Sequence, residues 1–167
     1  MFEIKEINAE NKKELYTRIN VYLKGLICED SDWLAGISNA CALLNLTLPD
    51  INWVGFYLWK GNELVLGPFQ GKPACIRIGP GKGVCGTAAA QRKIQVVEDV
   101  DKFPGHIACD SASRSEIVVP VIKNGRLLGV LDIDSPVKAR FDEQDAAGLS
   151  EFVDILNMYL EWPDIFV

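Results

Sequence analysis

The clearest hairpin of the chain lies at residues 115–135, which read SEIVVPVIKNGRLLGVLDIDS. Two runs rich in Val, Ile and Leu flank the pair Asn124-Gly125. This pair favours the positive backbone angles that a two-residue hairpin turn requires. The stretch therefore predicts two antiparallel strands joined by a tight turn.

Three acidic residues fall at one end of this predicted hairpin. Asp132 and Asp134 alternate with apolar residues, so both side chains leave their strand on the same face. If the two strands pair symmetrically outward from the Asn124-Gly125 turn, Glu116 lies opposite about residue 133. Three neighbouring carboxylates repel one another unless a cation binds or one of them stays protonated. A solvated strand face is the ordinary interpretation; a site for an ammonium group and a proton-donating carboxylic acid is the functional one.

Helical patterns come first along the chain. Residues 10–27 carry apolar residues at helical spacing, and a second helix takes Ser31 or Asp32 as its N-cap and runs through residues 33–46. Residues 52–71 then alternate large side chains around a Gly-Asn pair, which predicts another hairpin.

A closing helix and a long middle segment complete the prediction of an α+β domain. Asp142 caps a last helix at residues 143–160. An antiparallel sheet with the first and last helices on one face satisfies this order of elements. The crossover of about residues 70–115 is rich in loops and should cover the other face. Long loop segments of this kind, without regular secondary structure, are usually functional.

The length and composition fit one globular domain over residues 1–167. The formal charge of −6 argues against a basic surface that binds the phosphate backbone, so we expect no nucleic-acid partner. The N-terminus lacks the pattern of a signal peptide, and no apolar run approaches the roughly 20 residues that cross a bilayer. We therefore expect a cytoplasmic protein with no membrane contact.

The chain has five cysteines. In a reducing compartment they do not form a structural disulfide framework, and their odd number agrees with this view. Cys28 and Cys41 lie on or beside helices among apolar residues, which predicts small buried hydrophobes. Cys75, Cys85 and Cys109 all fall in the crossover. Those three are candidates for metal ligands or redox-active thiols.

Zinc and a thiol relay are the two functional interpretations of the crossover cysteines. A zinc site would add His106, but the gaps of nine and twenty-three residues between the cysteines are unlike the close pairs of zinc sites. We therefore expect no metal. In a relay, one cysteine attacks and another resolves it as a disulfide.

Local sequence gives mixed indications of thiol reactivity. Cys85 follows a glycine-rich loop at the expected start of a helix, where the helix dipole stabilises a thiolate. Cys109 has small neighbours and lies near His106 and Arg114, but the adjacent Asp110 would raise its pKa. The glycine spacing matches no phosphate-binding loop, so no cofactor is expected.

Trp53 and Tyr57 share one face of the second predicted hairpin. Both rings could belong to the core. A shallow aromatic wall for a small apolar group is the functional alternative.

Five segments together closely resemble the free methionine-(R)-sulfoxide reductases, a family of stand-alone GAF domains. The resemblance covers residues 30–160, and three cysteines recur at the family's spacing, which generic GAF domains lack. The segments are NWVGFYLW (52–59), GPFQGKPACIRI (67–78), GKGVCGTAA (81–89), FPGHIACDSASRSEIVVPV (103–121) and GVLDIDSP (129–136).

The resemblance implies a GAF-like sheet and an enzyme that reduces free methionine sulfoxide through thiols. Cys109 matches the family's nucleophile, and Cys75 matches its resolving cysteine. Cys85 matches a third cysteine able to join a disulfide with the nucleophile. Such an enzyme passes through a cysteine sulfenic acid and an intramolecular disulfide.

The resemblance also implies a substrate site and partners. Glu116, Asp132 and Asp134 match acidic residues that bind the polar groups of the substrate, and Trp53 matches the wall of the methyl pocket. Members of the family are typically dimers reduced by thioredoxin, so a homodimer and a thioredoxin partner are expected.

Two other functions remain open at this point. A non-catalytic GAF module that binds a small ligand is the first, and the absence of an output domain counts against it. A structural zinc protein is the second. His106 stays outside the expected catalytic set, because three carboxyls make a better proton source than one loop histidine.

Overall fold

The computed structural model describes residues 7–107 and 110–164 of the chain. Within these residues the chain forms one antiparallel sheet of six strands. The strands are β1 (Trp53–Lys60), β2 (Glu63–Gln70), β3 (Arg77–Ile78), β4 (Gln95–Val97), β5 (Ser115–Lys123) and β6 (Arg126–Ser135). Their order across the sheet is β3-β2-β1-β6-β5-β4. Both hairpins predicted from the sequence are therefore present, and they pair through β1 and β6.

Four α-helices and one 3-10 turn complete this part of the chain. They are α1 (Lys12–Ile27), α2 (Trp33–Thr47), α3 (Gly83–Gln91), a 3-10 turn (Val100–Lys102) and α4 (Glu143–Tyr159). No helix of the described segments is both long and apolar enough to cross a membrane.

Side-chain caps fix where two of the helices begin. Asp32 accepts a hydrogen bond from the Ala35 amide at 2.8 Å, so it is the N-cap of α2. Asp142 caps α4 in a reciprocal capping box with Asp145. Each cap satisfies backbone N–H groups that the first helical turn leaves unpaired. Of the two N-caps predicted for α2, Ser31 and Asp32, the structure has Asp32, and the predicted N-cap at Asp142 is confirmed.

Three helices cover one face of the sheet. Ile19 and Leu23 of α1 and Phe152 of α4 are fully buried in a core shared with Ile117 and Ile133 of the central strands. Helix α2 joins the first and last helices on this face. The predicted α+β architecture is confirmed.

The other face carries a second, smaller core beneath the crossover. Val118 and Val130 of the central strands pack there with Val84 and Ala88 of α3. The crossover therefore supplies one short helix and several loops as a lid over the sheet. Those predicted functional residues that the structure describes lie on this face.

Candidate active site

A pocket opens between the sheet and the crossover. Its walls come from β1, β5, β6, the start of α3, and loop residues that include 72–74 and 106–107. Six of the predicted site residues line it: Trp53, Tyr57, Cys85, Glu116, Asp132 and Asp134.

Glu116 lies directly opposite Asp134 on the neighbouring strand. The symmetric count from the turn predicted residue 133 and is off by one, because the register shifts between Val121 and Ile122. Residues opposed across an antiparallel ladder share a face of the sheet. The shift therefore brings Glu116 onto the same face as Asp134, and the expected acidic cluster forms at this strand end.

The three carboxyls lie in a poorly solvated environment that favours their neutral forms. Glu116 and Asp132 are each only 6% exposed. Burial, followed by the charges of Asp132 and Asp134, raises the pKa of Glu116 well above its usual value. Burial also raises the pKa of Asp132 to about 6, and burial and the charge of Asp132 raise the pKa of Asp134. The cluster can therefore supply protons near neutral pH and can accept a cation.

Cys85 stands in the first turn of α3 and points toward these carboxyls. Its Sγ lies 3.9 Å from Oε1 of Glu116, and the residue is 4% exposed. Burial and the charge of Asp132 raise the pKa of the Cys85 thiol well above its usual value. Its position at the start of the helix predicted a stabilised thiolate. Desolvation and the carboxyls outweigh the helix dipole, so Cys85 is a buried neutral thiol.

Cys75 is disulfide-bonded and half-buried next to the pocket. The hydroxyl of Tyr57 donates a hydrogen bond to the Cys75 carbonyl oxygen at 3.0 Å. Strand β1 thereby anchors the loop that carries this cysteine. Cys109, the expected nucleophile, lies outside the described residues.

The remaining two cysteines differ from each other. Cys41 is 1% exposed, and its thiol donates to the Pro68 carbonyl at 3.2 Å, as a core filler does. Cys28 is exposed, so the prediction of a buried residue was wrong there. It forms the C-cap of α1, where the chain leaves the helix and the last side chain faces solvent.

An aromatic wall borders the carboxyls. The rings of Trp53 and Tyr57 stack with their centroids 5.9 Å apart, and the rings of Trp53 and Phe69 stack at 5.4 Å. The Trp53 Nε1–H donates to the Lys72 carbonyl at 3.1 Å, which fixes the ring. The sequence predicted Trp53 and Tyr57 but missed Phe69, which joins them only through the pairing of β1 with β2.

A polar network that the sequence analysis missed holds the loop after the expected nucleophile. The Asn52 amide donates to Asp110 at 3.2 Å and to the Ser113 hydroxyl at 3.1 Å. Lys72 adds an ion pair to Asp110 at 3.2 Å. The Ala112 amide, Lys72 and Asn52 hold the pKa of Asp110 below its usual value. The position of Asn52 beside Trp53 was the one sequence signal for this network.

His106 also lines the pocket, although the sequence analysis set it aside. Its Nε2 lies 3.7 Å from Oε2 of Glu116. Burial lowers the pKa of His106, which favours the neutral imidazole. A neutral ring beside a protonated carboxyl forms no strong ion pair.

Residues 34–160 match the GAF domain family. The free methionine-R-sulfoxide reductase of Escherichia coli is 50% identical, over 92% of this chain and 93% of that protein.

Solved structures show the same likeness. The structure of free methionine-R-sulfoxide reductase from Neisseria meningitidis in complex with its substrate is 45% identical, with a TM-score of 0.91 over 95% of each chain. The reduced form of the Staphylococcus aureus fRMsr is 51% identical, with a TM-score of 0.86 over 95% of this chain and 100% of that one.

Proposed function

This chain belongs to the free methionine-R-sulfoxide reductase family of GAF domains, and we propose that it reduces free methionine-(R)-sulfoxide to methionine. The observation that carries the proposal is one pocket in which three poorly solvated carboxyls meet an aromatic wall. These groups suit the two ends of the substrate. Its ammonium needs anions, and its methyl sulfoxide needs an apolar surface with a proton donor nearby.

The carboxyls and the aromatic rings orient the substrate. The ammonium lies among Glu116, Asp132 and Asp134, and the methyl group packs against Trp53 and Tyr57. The substrate carboxylate must avoid the acidic cluster. We assign it to backbone N–H groups of the crossover, helped by the positive charges of Lys72 and Lys82, which also line the pocket.

Reduction begins with attack by sulfur. The thiolate of Cys109 bonds to the sulfoxide sulfur, while a protonated carboxyl of the cluster donates to the weakly basic oxygen. The hydroxyl then moves from the substrate sulfur to the Cys109 sulfur: a new sulfur–oxygen bond forms at Cys109 while the substrate's sulfur–oxygen bond and the transient sulfur–sulfur bond break. Methionine leaves, and Cys109, oxidised by two electrons, is a sulfenic acid. The raised pKa of Glu116 and of Asp134 supports a proton donor at neutral pH.

Recycling follows through a second cysteine. The Cys75 thiol condenses with the Cys109 sulfenic acid, which forms a disulfide and releases water. An external dithiol, which we assign to thioredoxin, reopens the bridge and is itself oxidised. The disulfide at Cys75 and its anchor on Tyr57 support this role. Cys85 remains an auxiliary thiol, because its raised pKa makes it a poor nucleophile.

The proposal includes a homodimer in the cytoplasm. Three apolar side chains on the helical side, Val21, Leu46 and Met158, are each at least 65% exposed. The family resemblance implies an association of two copies, and these side chains are candidates for its contact surface.

Variants of the two proposed reactive cysteines test the function. Cys109→Ser should abolish turnover of free methionine-(R)-sulfoxide with a thioredoxin system. Cys75→Ser should still produce about one methionine per protein and then stop, because the nucleophile reacts but is not recycled. A burst assay that counts methionine per active site measures both effects.

The exposed Cys28 supplies the matched control. Cys28→Ser removes one thiol outside the pocket, so its turnover should equal that of the parent. Full activity in Cys109→Ser would overturn the proposed function. Multiple turnovers by Cys75→Ser would instead assign the resolving role to another thiol.

A further inference from the structure

Cys85, Glu116 and Asp132 form a compact set of donor atoms, here called the Cys85 cluster. One ligand atom of each residue lies within 4.8 Å of the ligand atoms of the other two. The Cys85 Sγ and Glu116 Oε1 are 3.9 Å apart. All three residues are more than nine-tenths buried.

One oxygen of this cluster lacks a hydrogen-bond partner. Oδ1 of Asp132 is buried and accepts no hydrogen bond from any described residue. A buried carboxylate oxygen left unpaired destabilises the folded protein. It normally has a partner, so this oxygen points to a ligand that binds within the cluster.

The spacing and chemistry of the donors select the kind of ligand. Metal–ligand lengths of about 2.3 Å to sulfur and about 2.0 Å to oxygen put tetrahedral sulfur and oxygen ligands about 3.5 Å apart. The observed separation of 3.9 Å needs only a small adjustment. Magnesium and calcium prefer six or more oxygen ligands, whereas a thiolate with two carboxylates suits zinc.

We infer that the Cys85 cluster binds a divalent cation of the zinc class, and that the bound ion excludes the ammonium group of the substrate. The second half of this inference rests on the proposed function, since it needs the same carboxyls to hold the amino group. Three protein ligands leave a fourth position for water. The Cys85 thiol releases its proton to solvent as the metal–sulfur bond forms, and no electrons are transferred.

Cobalt provides a direct optical test. Co²⁺ should be titrated into a Cys75→Ser/Cys109→Ser variant, which lacks both proposed reactive thiols. We expect a thiolate-to-cobalt absorption band in the near ultraviolet and visible bands of four-coordinate cobalt. The readout is binding rather than turnover, so a failure here would not count against the reductase.

Further substitutions in that background identify the ligands. Cys85→Ser should abolish the near-ultraviolet band, whereas the matched control Cys28→Ser should retain it. Glu116→Gln and Asp132→Asn should each raise the dissociation constant for Co²⁺ at least about tenfold, because each replaces a charged ligand. Absence of the band, or its persistence after Cys85→Ser, would overturn the metal site.

Competition tests the exclusion of the amino group. Free L-methionine should displace Co²⁺ and bleach the band. N-acetyl-L-methionine, which has no ammonium, should leave it unchanged, and so should glycine, which chelates free Co²⁺ through the same amino and carboxylate groups but lacks the methionine side chain. A band that survives saturating L-methionine would show that the ion and the amino acid occupy different places. That outcome would disprove the proposal that the bound ion excludes the ammonium group of the substrate.

Discussion

The phenol of Tyr57 holds the backbone of Cys75, with the hydroxyl oxygen 3.0 Å from the Cys75 carbonyl oxygen. Tyr57 is 2% exposed and stacks against Trp53 on β1. The loop that carries the proposed resolving cysteine is thus tied to a rigid strand. In the proposed mechanism, recycling needs this cysteine in place, whereas the first attack on the sulfoxide does not.

Tyr57→Phe keeps the aromatic wall and removes this anchor. We expect the steady-state rate with thioredoxin to fall about fivefold, since one hydrogen bond is worth about 1 kcal/mol. The single-turnover yield of methionine should remain near one per protein. Comparing the burst with the steady-state rate measures this difference.

Tyr16→Phe is a matched control for that substitution. The Tyr16 hydroxyl also makes one buried hydrogen bond, to Asp145 at 2.9 Å, but it lies between α1 and α4. Both variants should lose similar stability, and Tyr16→Phe should keep the parent rate of recycling. Equal losses of recycling in the two variants would indicate a general loss of stability.

The buried acidic cluster should make the protein less stable as the pH rises. The pKa of Glu116 in the folded state lies well above its unfolded value. The folded state therefore binds more protons between these two values, and the free energy of unfolding falls as the pH increases through that range. Glu116→Gln should raise the free energy of unfolding by about 1–3 kcal/mol at pH 7 and by little at pH 4. Urea titrations at the two pH values measure the change.

Asp142→Asn should lower the free energy of unfolding at neutral pH, whereas Glu116→Gln should raise it. Lys12 and the backbone amides at the start of α4 lower the pKa of Asp142 to about 2. Its stabilising effect is therefore present above the unfolded pKa of 3.8 and is lost as the pH falls toward 2. The substitution should lower stability modestly at pH 7, because this side chain is half exposed. The same sign for Asp142→Asn and Glu116→Gln would contradict this electrostatic account.

The sequence was sufficient for the sheet and for most of the pocket, because periodicity and turn chemistry act locally. The Asn-Gly turn and the alternation around Asp132 predicted the strands and the faces of their side chains. The partner of Glu116 was missed by one residue, because the register shift between Val121 and Ile122 depends on packing across the sheet. A one-residue shift has no local signature in these apolar strands.

Electrostatic interactions between residues that are distant in the sequence could not be predicted from it either. The position of Cys85 at the start of a helix suggested a stabilised thiolate. Only the structure brings Glu116 and Asp132 next to this sulfur. The link from Lys72 to Asp110 joins residues 38 positions apart in two loops, and neither loop has a periodic pattern.

The Lys72–Asp110 ion pair should influence substrate binding through the loop around the proposed nucleophile. Lys72→Met removes a charge that lines the pocket and loosens Asp110, which Asn52 also holds. We expect KM to rise about threefold to tenfold with little change in stability, since the lysine side chain is 68% exposed. Steady-state kinetics and thermal unfolding measure the two effects.

Lys138→Met is the matched control for the ion pair. Lys138 forms a similar exposed bridge, to Asp99 at 2.8 Å, but does not line the pocket. Its KM should equal that of the parent. If both substitutions change KM alike, the effect comes from the net charge of the protein and not from the loop.

Helix α3 packs closely against the preceding turn, so alanine substitutions at Gly86 and Gly79 should have different effects on stability. A Cβ at Gly86 would overlap the carbonyl oxygen of Gly79, and backbone cannot move aside as a flexible side chain can. A Cβ at Gly79 would meet only the Lys82 side chain, at an ordinary 3.6 Å. In an open helix Gly→Ala stabilises by about 1 kcal/mol. We expect Gly86→Ala instead to destabilise by about 1–3 kcal/mol, because α3 must shift. The shift would displace Cys85, so the affinity for Co²⁺ should fall as well. Gly79→Ala should change neither the urea midpoint nor the cobalt affinity. A more stable Gly86→Ala protein would contradict the tight contact between α3 and the turn.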